Sequence, residues 1–498
     1  MEQTSFKTQS EDNEGNQQQN QGNNKGNSQY ASPKKRTRLN KKERKEIKKQ
    51  QNVKEGKTDQ KKPPKAQEIQ YEPVLKEMIT LPNVIEETNG ITIMTYNLLA
   101  QSLCKRQLFP NCGDALKWKN RRPRLIKEIF HYLPDIGCFQ EMDELNYNDT
   151  FKPEFEKSGY DTLFYKGDNK QHGCCIAWKK SKFTKLKEST LDFDKIGAPT
   201  MITNCIGIIV ALGILNRKED KGVVIGTTHL YWRPQSMYER TRQCLILYQR
   251  LLKVNEEFNF PAFLAGDFNS TPQDPIYQLM VSKSKLNEEQ ISILENSMRA
   301  FGEESSEGDN VPSTPVTNKD SEEVTIEQSK ISSQSLSVTE ARTLQSHPLR
   351  SQQTQIQSSQ LEQSQSLSSP PLKPQLESLS TLLSNFGKLP KCLSLYGQNY
   401  HLIDSENIEH SEPKITNHGI FFKGTLDYIF FVFNQKEGYV NDIDGEIKND
   451  NQYNNNNNNV KVTKLLKLPR EEEFGSTCLP NYKFNSDHIC LMVEVGIE

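Results

Sequence analysis

Apolar positions along this chain gather into short runs, most of which end on a polar cluster. Long stretches with no apolar pattern separate some of them. ITIMTYNLLA (Ile91–Ala100) begins by alternating apolar and polar residues, the period of a half-buried strand. DIGCFQE (Asp135–Glu141), GCCIAWK, CIGIIVALGIL, GVVIGTTHLYW and PAFLAGDFN read as further strands. GTLDYIFFVF (Gly424–Phe433) and HICLMVEV (His488–Val495) resume the pattern near the C-terminus. Arg121–Leu133 places Leu125, Ile126, Ile129, Phe130 and Leu133 on one helical face, and Pro134 stops it. Arg240–Phe258 is a second amphipathic helix. Alternating strands and helices predict a sheet-rich α/β domain.

The unpatterned stretches set the domain organisation. Residues 1–70 are rich in Gln, Asn, Lys and Gly with almost no aromatics, and such sequence cannot bury enough apolar surface to offset its ordering entropy. We expect a disordered arm there, followed by one catalytic-sized domain over 71–498. From about 301 to 385 the chain is Ser/Gln rich, and from about 441 to 460 it is nearly pure Asn/Asp. Strands resume after each, so both read as disordered insertions within the domain rather than linkers between domains. No internal repeat is visible.

Charge changes the picture at one place. The formal net charge is -1, yet Lys34–Lys65 holds fifteen Lys/Arg against four Asp/Glu. This segment reads as an RNA-tracking arm or a nuclear address at Pro33-Lys34-Lys35-Arg36, engaging RNA or an import receptor. It reads equally as a solvated tail. The ten cysteines form no C-x-x-C pair, which argues against a zinc site. No secretory h-region is seen, and the longest apolar run, Cys205–Leu215, is too short to span a bilayer. The expectation is an intracellular protein, nuclear, nucleolar or cytoplasmic, with no membrane association.

The polar clusters carry the candidate chemistry. Asn97 follows IMTY, Glu141 follows CFQ, and His229 sits in TTHL. Asp267 and Asn269 sit in AGDFNS, Asp427 in GTLDYIF, and Asp487 with His488 in SDHIC. Singly, a Glu after a strand is more often a surface residue, and a lone His is more often a hydrogen-bonded rim or core residue. Asp427 resists that reading, because a carboxylate inside an apolar run needs a partner. AGDFNS is the most specific piece. Strand ends on one edge of a layered fold converge on a shared cleft. The set then offers carboxylates for a hard cation, imidazoles for non-bridging oxygens and amides for orientation. That inventory suits Mg²⁺-assisted hydrolysis of a phosphate ester, with Mn²⁺ as a substitute.

The segments MTYNLLAQ, DIGCFQE, HGCCIAWKK, THLYWRP, RTRQ, LAGDFNS, FKGTLDYIF and SDHIC resemble the exonuclease–endonuclease–phosphatase superfamily. Within it the chain resembles the branch of Ccr-type deadenylases, Nocturnin, Angel and the Ngl proteins, and is most similar to the Ngl RNA exonucleases. The resemblance runs from about Ile91 to the C-terminus, insertions excepted. It implies a two-sheet α/β sandwich with outer helices and a site at one rim. It implies Glu141 as principal Mg²⁺ ligand with Asn97 beside it, and Asp487 in support. It implies Asp267 as the group that activates water, with Asn269 holding phosphate. His488 would contact the scissile phosphate under the control of Asp427, and His229 would stabilise the phosphoryl oxygens. Pro234 and Phe422 would sandwich the terminal base, although core packing beside Phe421 is an alternative for Phe422. Arg233 stands where deadenylases of this branch carry an acidic residue, and His172 where Asp is common. No leucine-rich-repeat pattern precedes the catalytic region.

The activity implied is 3′–5′ exoribonuclease action releasing 5′-mononucleotides, as in ribosomal RNA 3′-end trimming or poly(A) shortening. Two alternatives stand beside it. One is a phosphatase or phosphodiesterase of the same fold acting on a lipid or nucleotide. The other is a catalytically silent RNA-binding scaffold.

Overall fold

A computed structural model describes residues 72–82, 84, 90–215, 221–282, 285–304, 375–433, 460–475 and 478–497. The basic arm expected within 1–70 and the centres of both expected insertions lie outside the described residues.

Two sheets form the body. The first has seven strands: β1 (Met78–Thr80), β2 (Ile91–Asn97), β3 (Ile136–Asp143), β4 (Tyr160–Lys166), β5 (His172–Lys179), β12 (Val460–Leu466) and β13 (Leu491–Ile497). Their order is β1-β12-β13-β2-β3-β5-β4. The second has six: β6 (Phe183–Asp192), β7 (Ile206–Ile214), β8 (Gly222–His229), β9 (Ala262–Asp267), β10 (Cys392–Ser394) and β11 (Asp427–Val432). Their order is β10-β11-β9-β8-β7-β6. Among the described residues each sheet has one parallel pairing, β2 with β3 and β8 with β9, and the rest are antiparallel.

Strand alternation supplies the inner layer. Ile93, Ile136, Ile176 and Val493 of the first sheet share one core with Ile208, Val210, Ile225, Phe263 and Ile429 of the second. Each fully buried side chain of this kind contributes about 1.5–3 kcal/mol. The opposite faces are covered by helices. α1 (Trp118–Tyr132) packs Leu125 and Ile129 against Met94, Phe139 and Met492. α2 (Met237–Asn255) packs Leu247 and Leu251 against Ile209, Val224 and Leu264. The result is the two-sheet sandwich with outer helices implied by the resemblance.

The sequence boundaries shift where side chains pack. α3 (Glu288–Glu304) runs past residue 301, and α4 (Leu379–Gly387) lies inside the stretch assigned to the first insertion. Leu382 and Phe386 of α4 are buried in the helical layer over the second sheet. The unpatterned reading of 301–385 therefore overruns the folded sequence at both ends, because Ser-rich composition masked the apolar stripe of STLLSNFG. Near the C-terminus, HIC is loop and the strand itself is Leu491–Ile497.

Candidate active site

Each strand-end residue is placed by register. Asn97 ends β2 beside Gln140 of β3, His229 ends β8 opposite Asp267 of β9, and Asp267 lies opposite Asp427 of β11. Gly266 allows the close approach of β8 and β9 at this end, since a Cβ there would sit 2.5 Å from the Thr228 carbonyl. One sheet thus delivers Asn97 and Glu141, and the other His229, Asp267 and Asp427.

Glu141 is re-aimed by the backbone. The β3–β5 register shifts between Phe139 and Met142, and Glu141 adopts φ 53°. A non-glycine residue in the left-handed region costs roughly 1–2 kcal/mol, and such strain concentrates at functional sites. The carboxylate is buried and accepts from Asn97 Nδ2 at 3.2 Å and from the Ala100 amide at 3.1 Å. The same Asn97 Nδ2 donates to Asp267 Oδ2 at 2.9 Å, so one amide links carboxylates from the two sheets.

Asp267 is buried at the centre. Its Oδ1 accepts from the Asn269 amide at 2.9 Å, with Asn269 itself at φ 48°. Burial pushes its carboxyl up to about 7; the His488 charge pulls against this and Asp427 adds to it. His229 lies 3.5 Å from Asp267 Oδ2 and 3.8 Å from Glu141 Oε1. Burial drives its imidazole down to about 3 against the pull of Glu141, so it is neutral at ordinary pH. His488 behaves oppositely. Burial lowers it, but the charges of Asp427 and Asp267 outweigh that and bring it up to about 10. Its Nδ1 lies 2.8 Å from Asp427 Oδ2, and its Nε2 faces Asp267 at 3.6 Å.

Asp267, Asp427 and His488 present ligand atoms within 4.8 Å of one another, a carboxylate/imidazole cluster suited to a divalent cation. Among the described residues no group hydrogen-bonds the buried Asp427 Oδ1, and an orphaned carboxylate oxygen fits a site that takes a cation. With Glu141 and Asn97 adjoining, the donors are mainly hard oxygens, the kind Mg²⁺ prefers.

The remaining expected residues lie on the loops that follow or precede these strands. Asn269 Nδ2 donates to the Leu230 carbonyl at 2.8 Å. Asp487 is buried, and its carbonyl accepts from the His418 amide at 2.8 Å; its carboxylate is not part of the three-residue cluster. Pro234 opens a short turn after β8 and is exposed. Phe422 is half-buried near the tip of a hairpin formed by Asn417–His418 and Lys423–Gly424, its ring lying against Gly424. That hairpin is bridged to His488 at Asn417.

Several positioning groups went unread in the sequence. Arg121 of α1 is fully buried; its Nε donates to the Asn485 carbonyl at 2.7 Å and its Nη2 to the Leu98 and Leu99 carbonyls. It ties the loop after Asn97 to the loop before His488. Arg240 of α2 donates to the carbonyls of Asn269 and Arg233, tying the Asp267 loop to the Pro234 turn. Thr416 donates to Asp427 Oδ2 at 2.7 Å, and Ser486 donates to the Asn97 carbonyl at 2.7 Å. The available signal was an arginine on or beside the apolar face of each amphipathic helix. A charge there needs a buried partner.

A cavity of about 410 Å³ opens at Glu141 and His229, lined also by Lys105, Lys170, His172 and Trp232. A larger groove of about 510 Å³ lies along α2 at Ile246, Arg250 and Lys253, away from these groups. The ten cysteines are all free. No described helix is long and apolar enough to cross a membrane.

The chain is also similar to known proteins. Over 451 residues the chain is 32% identical to "Probable RNA exonuclease C9B6.11c" of Schizosaccharomyces pombe, covering 85% of this chain and 80% of that protein. It is 27% identical to RNA exonuclease NGL2 of Saccharomyces cerevisiae over 447 residues, covering 82% and 78%. The crystal structure of ANGEL2, a 2′,3′-cyclic phosphatase, in complex with adenosine-2′,3′-vanadate shares the fold at a TM-score of 0.54 and 21% identity. That match covers 85% of this chain and 99% of the ANGEL2 chain. Residues 94–356 match the Endonuclease/Exonuclease/phosphatase family, and the chain belongs to that family of hydrolases.

Proposed function

We propose that this protein is a Mg²⁺-dependent 3′–5′ exoribonuclease that removes nucleotides one at a time as 5′-monophosphates. The observation that carries the reading is the linked set Glu141–Asn97–Asp267, with the Asp427–His488 pair facing Asp267. The probable RNA exonuclease and the RNA exonuclease named above, each matched over more than three quarters of its length, support RNA as the substrate.

Asp267, raised toward neutrality by burial, orients a water and takes its proton as the oxygen attacks phosphorus. The P–O3′ bond breaks and O3′ takes a proton from solvent water in the cavity, leaving a 5′-phosphate on the departing nucleotide and a 3′-hydroxyl on the shortened chain. His488, held protonated by Asp427, donates to a phosphoryl oxygen, and neutral His229 donates to another. Glu141 and Asn97, with Asp487 in support, would hold Mg²⁺ or Mn²⁺, which would supply neutralisation of the charge that develops on the departing oxygen. Asn269 holds the phosphate, and Pro234 with Phe422 stacks the terminal base. Both base-stacking residues ride on loops anchored to the site, Pro234 through Arg240 to Asn269 and Phe422 through its hairpin to His488.

An RNA ladder assay tests this. Oligoribonucleotides with poly(A) or mixed 3′ ends are incubated with and without Mg²⁺, using wild type and Glu141→Ala. Stepwise shortening that needs both Mg²⁺ and Glu141 supports the proposal. Release of inorganic phosphate from nucleotides or inositol lipids, with RNA left intact, replaces it with the phosphatase reading. Binding of RNA without any hydrolysis replaces it with the scaffold reading.

A further inference from the structure

Lys170, in the turn between β4 and β5, stands out among the neighbouring lysines. Lys166, four residues earlier, pairs with Glu144 at 3.6 Å, and Lys179 and Lys182 both pair with Asp135. Among the described residues no carboxylate pairs with Lys170. Its ammonium lies 3.3 Å from the Cys205 sulfur, on the wall of the 410 Å³ cavity that reaches Glu141 and His229. His172, two residues on, lines the same cavity, and Lys105 adds a second cation from the loop after β2. A second, smaller cavity is also lined by Lys170, His172 and His229.

The segment bearing these groups is fixed in place. Gly167 packs so closely on Asn204 that a Cβ there would lie 2.3 Å from the Asn204 carbonyl oxygen. Asn169 reaches Asn204 Oδ1 with its backbone amide and its side chain, each at 3.4 Å. An unneutralised ammonium on a braced turn, facing a cavity beside the reacting groups, is arranged for an anion.

We propose that Lys170 and His172 form a phosphate subsite for the nucleotide upstream of the cleaved linkage. This rests on the exoribonuclease reading. Hydrolysis of the last linkage makes the O3′ of the penultimate nucleotide the leaving group. The Phe422 hairpin is bridged to His488, which puts the terminal nucleotide on that flank. The penultimate nucleotide then extends past Glu141 and His229 into the cavity, and its own 5′-phosphate meets Lys170 and His172. The leaving strand is thereby gripped by its backbone, a contact that carries no sequence information.

Dinucleotides isolate this contact. The pair pApA carries the phosphate in question, ApA lacks it, and pUpU with UpU controls for the base. A charge-assisted contact predicts that wild type prefers the 5′-phosphorylated member about tenfold or more in kcat/KM. Lys170→Gln brings the preference to within about twofold of unity, His172→Asn weakens it, and Lys170→Arg keeps most of it. Equal use of both members by wild type, or full preference in Lys170→Gln, overturns the subsite and leaves the exoribonuclease reading standing. If folded wild type hydrolyses neither the dinucleotides nor longer RNA 3′ ends, the exoribonuclease reading fails and the subsite falls with it.

Discussion

Replacing Arg121 by Met keeps the apolar length of the side chain and removes every donor. In the native protein Nε bonds the Asn485 carbonyl at 2.7 Å, Nη2 bonds the carbonyls of Leu98 and Leu99, and Nη1 bonds Gln101 Oε1 at 3.2 Å. The substitution strands backbone carbonyls of residues 98, 99 and 485. At about 1–3 kcal/mol for each buried acceptor left unmade, the gross loss is about 3–9 kcal/mol. Several kcal/mol return because a guanidinium no longer has to be desolvated. The net cost is about 2–5 kcal/mol, which for a large domain lowers Tm by roughly 5–15 °C. The consequence for turnover is separate. Ala100, whose amide holds Glu141, and Ser486, whose hydroxyl holds the Asn97 carbonyl, both lie on segments that Arg121 ties together. A displacement of about 1 Å at a reacting group costs about 100-fold in rate. The assay is thermal unfolding by circular dichroism, with steady-state RNA hydrolysis measured well below both midpoints. A Tm within 2 °C of wild type would show the carbonyls to be satisfied otherwise. A lowered Tm with wild-type turnover would show that Arg121 holds the fold but does not align the site.

Three further expectations follow from the same geometry. Asp267→Asn lowers kcat about 10²–10⁴-fold, while Tm holds or rises because a desolvated carboxylate is gone; retained turnover in a clean preparation removes Asp267 from its role. Glu128 is buried against the Tyr96 hydroxyl and Asn485 Nδ2, and burial lifts its carboxyl from 4.5 to about 7. Below pH 4.5 both states carry the proton. Between 4.5 and 7 the unfolded chain ionises first, so stability falls with rising pH by a total on the order of 3 kcal/mol. Glu128→Gln flattens that decline in urea titrations at pH 5 and pH 8, and an unchanged decline contradicts it. Deleting residues 1–70 reduces the slope of log affinity for single-stranded RNA against log salt by about 2 or more, if the basic arm contacts phosphates; an unchanged slope removes the arm from RNA binding.

The strands that carry the site were readable because each ends abruptly from apolar to polar. β2, β8, β9 and β11 fall within the expected segments, and β3 runs two residues past Glu141, to Asp143. β6 was not readable. Its sequence, FTKLKESTLD, is a sheet edge with most side chains exposed, so neither periodicity nor hydrophobicity marks it. β12 follows the Asn-rich run directly, and composition hid it. Within the site, the residue types at strand ends suggested phosphate chemistry. Register, which sets Asp427 opposite Asp267 and His229 beside it, appears only once the sheet is formed. The bulge that turns Glu141 inward leaves no mark in DIGCFQE. Arg121, Arg240 and Thr416 act through partners distant in sequence or through loop geometry, which local pattern does not encode.

In the proposed enzyme these strand ends enclose a divalent cation. Anomalous diffraction from crystals soaked in Mn²⁺ tests it directly. The expected result is a strong peak bonded to a Glu141 carboxylate oxygen, absent in Glu141→Ala. Peaks found only elsewhere on the molecule, in a protein that still hydrolyses RNA with Mn²⁺, would contradict it.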